Sequence, residues 1–196
     1  MLYDKDIREP LFDFLEMTCG TIRILEEKTM GKARADILMV TGEGLYGIEI
    51  KSDADTYTRL KKQVRYYDQY CDYCYAAVGT RHALHIEEHI PSHWGIITVD
   101  EEDHQPDFYI LRRPAKNPRD TLKKKLSLLW RPELVHLLQK NKLPAYKQKS
   151  KKFVNEALLK KVPAEILHRQ ILEELFERDY TLIEEEIRQY KQKKGG

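Results

Sequence analysis

Between residues 21 and 51 the chain reads as three strands in immediate succession, and this block limits what the rest can be. Residues 21–27, 34–40 and 45–51 are apolar or alternating. The first two are separated by a turn around Gly31, and the last two by Gly42-Glu43-Gly44, a hairpin turn. A meander of three strands cannot cover its own apolar faces, so it needs helices packed on it. The flanking sequence supplies them. Ile7, Leu11, Phe14 and Leu15 recur at helical spacing over residues 4–18, with Asp4 or Asp6 as N-cap. Cys19-Gly20 then ends that helix. Residues 56–70 form a second helix after Asp55, a candidate N-cap. Compact apolar runs at 73–79 and 94–99 read as buried strands, with a short helix over 82–88 and an edge strand at 108–111. The expected order is α-β-β-β-α-β with further pieces, an α/β fold with a mixed central sheet flanked by helices.

Prolines at 114 and 118 break this pattern, and every later signal is helical: 122–130, 133–139, 153–159, 164–176 and 181–191. Pro132 suits the first turn of its helix. The expected organisation is therefore an α/β domain over residues 1–115 and a small all-α domain over 116–196. Charge divides along nearly the same line. Residues 1–110 carry 12 Lys+Arg against 21 Asp+Glu, whereas residues 111–161 carry 16 against 3. Such asymmetry suggests a phosphate-rich partner for the basic stretch and a divalent metal for the acidic block. No apolar run approaches the roughly 20 residues needed to span a bilayer, so no membrane partner is expected. Three cysteines and no secretory pattern at the N-terminus point to a reducing cytoplasm rather than a disulfide scaffold.

The chemistry concentrates on the strands. Asp36 interrupts the apolar run Ala35 to Val40, and Glu49 and Lys51 share one face of the next strand while Ile48 and Ile50 share the other. Buried charges of this kind are costly unless they serve one another or a metal. Two carboxylates on neighbouring strands are hard oxygen ligands suited to Mg²⁺, and the lysine beside them can activate water or stabilise charge developing on phosphorus. With 34% of residues charged, Asp followed by Glu-x-Lys is by itself a weak pattern. Its place on one hairpin between two helices sharpens it. Leu60, Gln63, Val64 and Tyr67 then form one helical stripe, so Gln63 sits on an inward face where it needs a hydrogen-bonding duty, close to Tyr67.

Taken together, Asp36, Glu49-Ile50-Lys51 and Gln63-Val64-Arg65-Tyr66-Tyr67 behind a leading helix resemble the PD-(D/E)xK nuclease superfamily, the restriction-endonuclease-like fold. The longer segments Gly31 to Asp36, Gly47 to Asp53 and Arg59 to Gln63 are similar to a bacterial and phage branch. Its helical tail carries a Leu-Leu-Trp-Arg segment, as at residues 128–131. The resemblance covers roughly residues 4–180. It implies a restriction-endonuclease-like α-β-β-β-α-β core and a metal-dependent deoxyribonuclease, an endonuclease that hydrolyses phosphodiester bonds with Mg²⁺ or Mn²⁺. Asp36 and Glu49 would bind the metal, Lys51 would be the catalytic lysine, and Gln63 with Tyr67 would match the Q-x-x-x-Y variant. The motif's proline is Ala35 here. Family members add an upstream acidic ligand, for which Glu26 and Glu27 are favoured over Glu9 and Glu16 of the first helix. A regular strand lets only one of that pair face the site.

Around this core, Arg34 is expected either to pair with a carboxylate or to approach phosphate, and Asp53 to turn the chain into the second helix. Arg59 and Lys62 form one candidate phosphate row. Arg112, Arg113, Lys123 and Lys124 begin another, which tracks a nucleic-acid backbone, DNA as the resemblance implies, or is a solvated face. Aromatic residues are thin in that stretch, so base stacking is unsupported there. Cys71-x-x-Cys74 lacks a matching second pair and reads as ordinary packing, and the histidines at 82, 85, 89 and 93 as loop residues. The helical domain would clamp nucleic acid or join subunits in a homodimer. The competing reading is a catalytically silent nucleic-acid-binding or regulatory module on the same fold.

Overall fold

The computed structural model describes residues 2–102 and 105–178. These fall into two compact units, Met1–Thr121 and one beginning at Leu122. The first unit runs α1 (Asp4–Cys19), β1 (Arg23–Met30), β2 (Ala33–Val40), β3 (Leu45–Lys51), α2 (Leu60–Tyr70), β4 (Tyr73–Gly79), α3 (Thr80–Ala83), β5 (Gly95–Glu102) and β6 (Gln105–Arg112). Its six strands form one mixed sheet in the order β1-β2-β3-β4-β5-β6, an α/β arrangement. The β3–β4 and β4–β5 pairs are parallel and the rest antiparallel.

Burial explains why these sequences take these places. The inner strands β3 and β4 are buried on both faces and are uniformly apolar apart from Glu49 and Lys51. On one face, Ile7, Leu11 and Leu15 of α1 pack with Ile37, Met39, Ile48, Ile50, Ala77 and Ile97. On the other, Tyr67 of α2 lies over Gly47, where an added Cβ would stand 2.3 Å from the ring and 2.7 Å from Cys71 Sγ. The N-cap of α1 is Tyr3 rather than Asp4 or Asp6, and the Asp6 carboxylate reaches back to accept the Tyr3 amide at 3.0 Å. It ends at Gly20, whose φ of 76° is a left-handed backbone that favours glycine. Asp55 does not cap α2. It accepts from Ser52 N and Oγ, closing a tight turn, and a short 3₁₀ segment at Tyr57–Arg59 leads into the helix. Asp53, expected to turn the chain into α2, instead links the loop after β3 to the start of α3, accepting from Arg81 N at 3.1 Å.

The division between units falls six residues later than the proline break suggests, because the segment after β6 is strapped to the first unit. Asn117 Nδ2 donates to the carbonyls of Asp68 and Cys71, and its own amide donates to Asp72 O. Lys116 pairs with Asp72 and Arg119 with Asp68. Asp68 is nearly fully buried and also accepts from Trp94 Nε1 at 2.8 Å and contacts His93 Nε2 at 3.1 Å, so His93 is part of this junction rather than a free loop residue.

The second unit contains α4 (Leu122–Leu128), α5 (Arg131–Lys140), α6 (Lys151–Lys161) and α7 (Ala164–Phe176) around Leu126, Leu129, Leu134, Leu137, Leu158, Leu167, Ile171 and Leu175. Ser150 Oγ caps α6 by accepting from Phe153 N. The Leu-Leu-Trp-Arg segment is structural here. Leu128 and Leu129 are buried, Trp130 stands at the N-cap of α5, and Arg131 donates to Tyr146 O. Arg178 and Glu133 form a buried ion pair at 2.6 Å. The helix expected over 181–191 lies outside the described residues. No helix of the described residues is long and apolar enough to cross a membrane.

Gly47→Ala should destabilise the first unit by about 1–3 kcal/mol, because Tyr67 and Cys71 leave no room for a methyl group. Urea unfolding followed by circular dichroism measures this, and an unchanged midpoint would contradict the close packing of α2 on β3.

Candidate active site

The site forms where β2 and β3 part. Their register runs Val40 opposite Leu45 through Ile37 opposite Ile48, and one further step brings Asp36 to the level of Glu49. There the ladder gives way to side chains. Asp36 Oδ2 accepts from Ile50 N at 2.9 Å. The Tyr67 hydroxyl stands between the strands, accepting from Asp36 N and donating to Ile48 O, both at 3.0 Å. The fully buried Tyr67 thus holds the two backbones apart and leaves the carboxylate end of Asp36 at the opening.

That opening is a cleft of about 390 Å³ lined by Asp36, Glu49, Lys51 and Gln63, with Arg34, Arg59, Lys62, Lys32, Asp4 and Asp55 also on its walls. Lys51 Nζ donates to Glu49 Oε1 at 2.7 Å, and neither side chain is open to bulk solvent. The second oxygen, Glu49 Oε2, is buried without a partner, as is Gln63 Oε1. Two acceptors without donors facing the same cleft suit an oxygen-coordinated divalent cation, which takes one or two carboxylates plus water. Among the described residues, however, no group of three or more His, Cys, Asp or Glu side chains is arranged to hold a metal ion. Burial raises the Asp36 carboxyl above its ordinary range, against the pull of the Ile50 amide and Lys51. Burial, and then the nearby Asp36 carboxylate, pushes Glu49 up to about 8 despite Lys51 and the neighbouring Tyr67 hydroxyl, which donates instead to Ile48 O.

Glu26 and Glu27, the expected upstream ligands, are placed elsewhere. Both are exposed, and Arg8 of α1 reaches Glu26 at 3.6 Å and Glu27 at 3.2 Å. Arg34 also takes Glu27, at 2.5 Å, so its carboxylate-pairing alternative is the one observed. Both glutamates reach one arginine because β1 is not regular there. Glu26–Ile37 and Lys28–Ala35 pair across the ladder, while Glu27 between them has a left-handed φ of 51° and leaves its place opposite Asp36 unpaired. Glu9 and Glu16 are exposed on α1; the acid that helix brings to the cleft is Asp4.

Arg8 is the residue that sequence reasoning missed. It also binds Asp4 at 2.8 Å and donates to Asp36 O at 3.1 Å, tying α1, β1 and β2 together beside the cleft. Its four-residue spacing from Asp4 was the available signal.

The proposed phosphate rows are divided. Arg59 and Lys62 are exposed on the cleft wall. Arg112 donates to Trp94 O and Glu87, which hold it against the first unit. Arg113 lines a different cleft in the first unit. Lys123 is exposed and Lys124 half-buried in the second unit, where their neighbour Lys125 is buried. Cys71 and Cys74 are buried free thiols, consistent with packing.

A family model described as Bacteriophage P4 protein cII matches residues 2–194, and the chain belongs to that family. No curated protein matches the sequence. Among solved structures, SfsA of Pyrococcus furiosus, described in complex with Ca²⁺, aligns with a TM-score of 0.31 and 12% identity. That alignment covers 57% of this chain and 61% of SfsA, so it spans less than two thirds of that protein.

The raised Glu49 carboxyl has a consequence for stability. An unfolded glutamate titrates near 4.5, so folding favours the protonated acid. This part of the stability is complete below about 4.5 and is lost as pH rises to about 8. Metal-free protein should therefore lose denaturant resistance between about pH 5 and pH 8, and Glu49→Gln should lose less over the same interval. Parallel slopes for the two proteins would show that Glu49 is not held in this way.

Proposed function

We propose that this member of the Bacteriophage P4 protein cII family is a divalent-metal-dependent nuclease acting on DNA, with a restriction-endonuclease-like PD-(D/E)xK core. The observation that carries the reading is the meeting of Asp36, Glu49, Lys51 and Gln63 in one cation-rimmed cleft, with an unpartnered carboxylate oxygen inside it. The strand and helix order through β4 is the one that the superfamily resemblance implies.

Asp36 and Glu49 would hold Mg²⁺ or Mn²⁺ in this reading. The cation would supply Lewis-acid stabilisation and a more acidic bound water. Glu49 must then be ionised, and the cation's charge offsets the burial that otherwise keeps its proton. Lys51 sits beside that carboxylate, placed to hydrogen-bond the attacking water or the phosphoryl oxygen on which charge builds. Gln63 orients the same water through its buried carbonyl oxygen. Arg59 and Lys62 receive the substrate's phosphates at the cleft wall, and Arg34 joins them when it releases Glu27. The helical unit adds a lysine-rich surface that clamps DNA or joins two copies.

A catalytically silent nucleic-acid-binding module draws on different observations. Lys51 already occupies one oxygen of Glu49, and Glu26 and Glu27 are held by arginines. Incubation with circular and linear DNA separates the two readings. Wild-type protein should nick or linearise the circle with Mg²⁺ or Mn²⁺ and not in EDTA. Asp36→Ala should be inactive, and Lys51→Ala should be slower on the order of 10²-fold or more. Purified, folded protein that binds DNA and cleaves none under these conditions would favour the silent module.

A further inference from the structure

The second unit gathers cations that nothing described in it neutralises. Residues 142–161 carry seven lysines against one acid, Glu156. None of the seven makes an ion pair among the described residues, whereas Lys140 just before them holds both Glu173 and Glu174. Other acids of the unit are engaged away from the stretch: Glu133 pairs with Arg178, and Glu173 also meets Arg169. Like charges left together repel one another, so a surface of this kind is completed by an anion.

Two of these lysines and Arg131 are fixed around one residue. Tyr146 has a φ of 45°, a left-handed backbone uncommon outside glycine. Its carbonyl is held from two sides, by Arg131 Nη2 at 2.7 Å and by Lys149 N at 3.0 Å. Its hydroxyl accepts from Lys161 Nζ at 3.0 Å, and the same ammonium lies 5.7 Å from its ring centre. The ring meets Phe153 edge-on at 5.2 Å, and Lys149 Nζ lies 5.3 Å from the Phe153 ring. Arg131, the last residue of the Leu-Leu-Trp-Arg segment, thus joins Lys149 and Lys161 around an aromatic pair, with no carboxylate in any of these contacts. The rings are taken up by each other and by the lysines, so they hold ammonium groups in place and do not stack bases. Cations held in this way have less side-chain freedom left to lose when they meet an anion.

Each ammonium keeps donors beyond its contact in the cluster, since a lysine carries three N–H groups. Lys149 and Lys161 are exposed, and Lys147 and Lys152, also exposed, have no partner among the described residues. Several cations on one solvated surface are complementary to a row of phosphates. An anionic lipid surface is a poorer match, because adsorption to it needs an apolar face. Helix α6 turns Val154 and Leu158 inward, and Phe153 is engaged by Tyr146 and Lys149.

We propose that Arg131, Lys149 and Lys161 form a binding site for the phosphate backbone of nucleic acid, with Tyr146 as the residue that positions them. The helical unit then grips a strand without reading its sequence. The site shares a partner with the proposed nuclease but requires neither metal nor cleavage, so it stands whether or not the first unit cuts. A duplex and a single strand present the same phosphates.

Fluorescence anisotropy of a labelled twenty-base-pair DNA duplex and of a labelled twenty-base strand tests this with full-length protein in EDTA over a range of KCl. The double variant Lys149→Gln, Lys161→Gln, changed at two exposed positions, should bind about tenfold or more weakly at fixed salt. Its slope of log K against log salt should shrink by about 1.8 on the duplex and about 1.4 on the strand. Tyr146→Phe keeps the ring and removes the hydroxyl that fixes Lys161, so it should weaken binding about threefold with the slope kept. Lys140→Gln, whose ammonium two glutamates already hold, should change affinity by less than about twofold. Slope loss on both probes supports the site, and loss on one alone supports it and identifies the form of strand it takes. Wild-type protein that binds neither probe overturns the proposal, as does folded double variant with wild-type affinity and slope. An equal loss in Lys140→Gln also overturns it, because any positive charge would then serve. DNA binding kept by the double variant, with wild-type adsorption to phosphatidylserine vesicles lost, would assign the cluster to a lipid surface instead. Absence of DNA cleavage in Mg²⁺ would leave each of these results untouched.

Discussion

One buried hydroxyl sets the geometry of the candidate active site. Tyr67 bridges Asp36 N and Ile48 O, so a side chain from α2 takes the place of direct strand-to-strand contact. Because the bridge is longer than a ladder rung, β2 and β3 diverge there, and Asp36 can turn its carboxylate onto the Ile50 amide. The close approach of Tyr67 in turn requires Gly47, two residues before Glu49 and on the same strand face. Glycine, tyrosine and aspartate are thus one device: the glycine admits the ring, the ring parts the strands, and the parting opens the cleft.

Electrostatics act against that packing. Glu49 and Lys51 are brought into the interior together, and their ion pair offsets only part of the desolvation, leaving Glu49 protonated more readily than an ordinary carboxylate. The unpartnered Glu49 Oε2 makes the arrangement incomplete as a purely structural ion pair. A cation in the cleft would complete it, which is why the proposed metal-dependent chemistry accounts for this burial better than stability does. Arg8 works in the opposite sense beside it. By gathering Asp4, Glu26 and Glu27, it takes up negative charge that would otherwise crowd Asp36.

Periodicity carried most of the fold. The apolar alternation of β2 and β3, the stripe on α2 and the run of β4 depend on local burial patterns, and these are legible in one sequence. Helix α7 and strand β4 have the limits that the pattern suggests. The boundary at Leu122 was not legible, because Pro114 and Pro118 signal a break in secondary structure, whereas Asn117, Asp68 and Asp72 decide to which unit the segment is tied. The paired placement of Glu26 and Glu27 depends on a left-handed residue inside a strand, and no alternation rule marks such a position. The sequence brought Asp36, Glu49, Lys51 and Gln63 forward because their polarity conflicts with apolar surroundings. Arg8 offered no such conflict, and the alignment of Tyr46 with Tyr73 depends on the register of β3 against β4, which no local pattern gives.

That alignment bears on how a small sheet can hold two different clefts. In parallel β3 and β4 the finishing ends open towards α2 residues and gather carboxylates, whereas the starting ends open beyond the last turn of α1 and gather tyrosines. One opening arises where Tyr67 parts β2 from β3 and the other beyond the end of α1, so neither requires a break in the apolar middle formed by Ile48, Ile50, Ala76 and Ala77. The rigid strands between them fix each set of side chains separately. A substitution at Arg113 should therefore leave the Asp36 cleft intact, and one at Lys51 should leave the tyrosine stack intact, since distant sites with no shared partners respond independently.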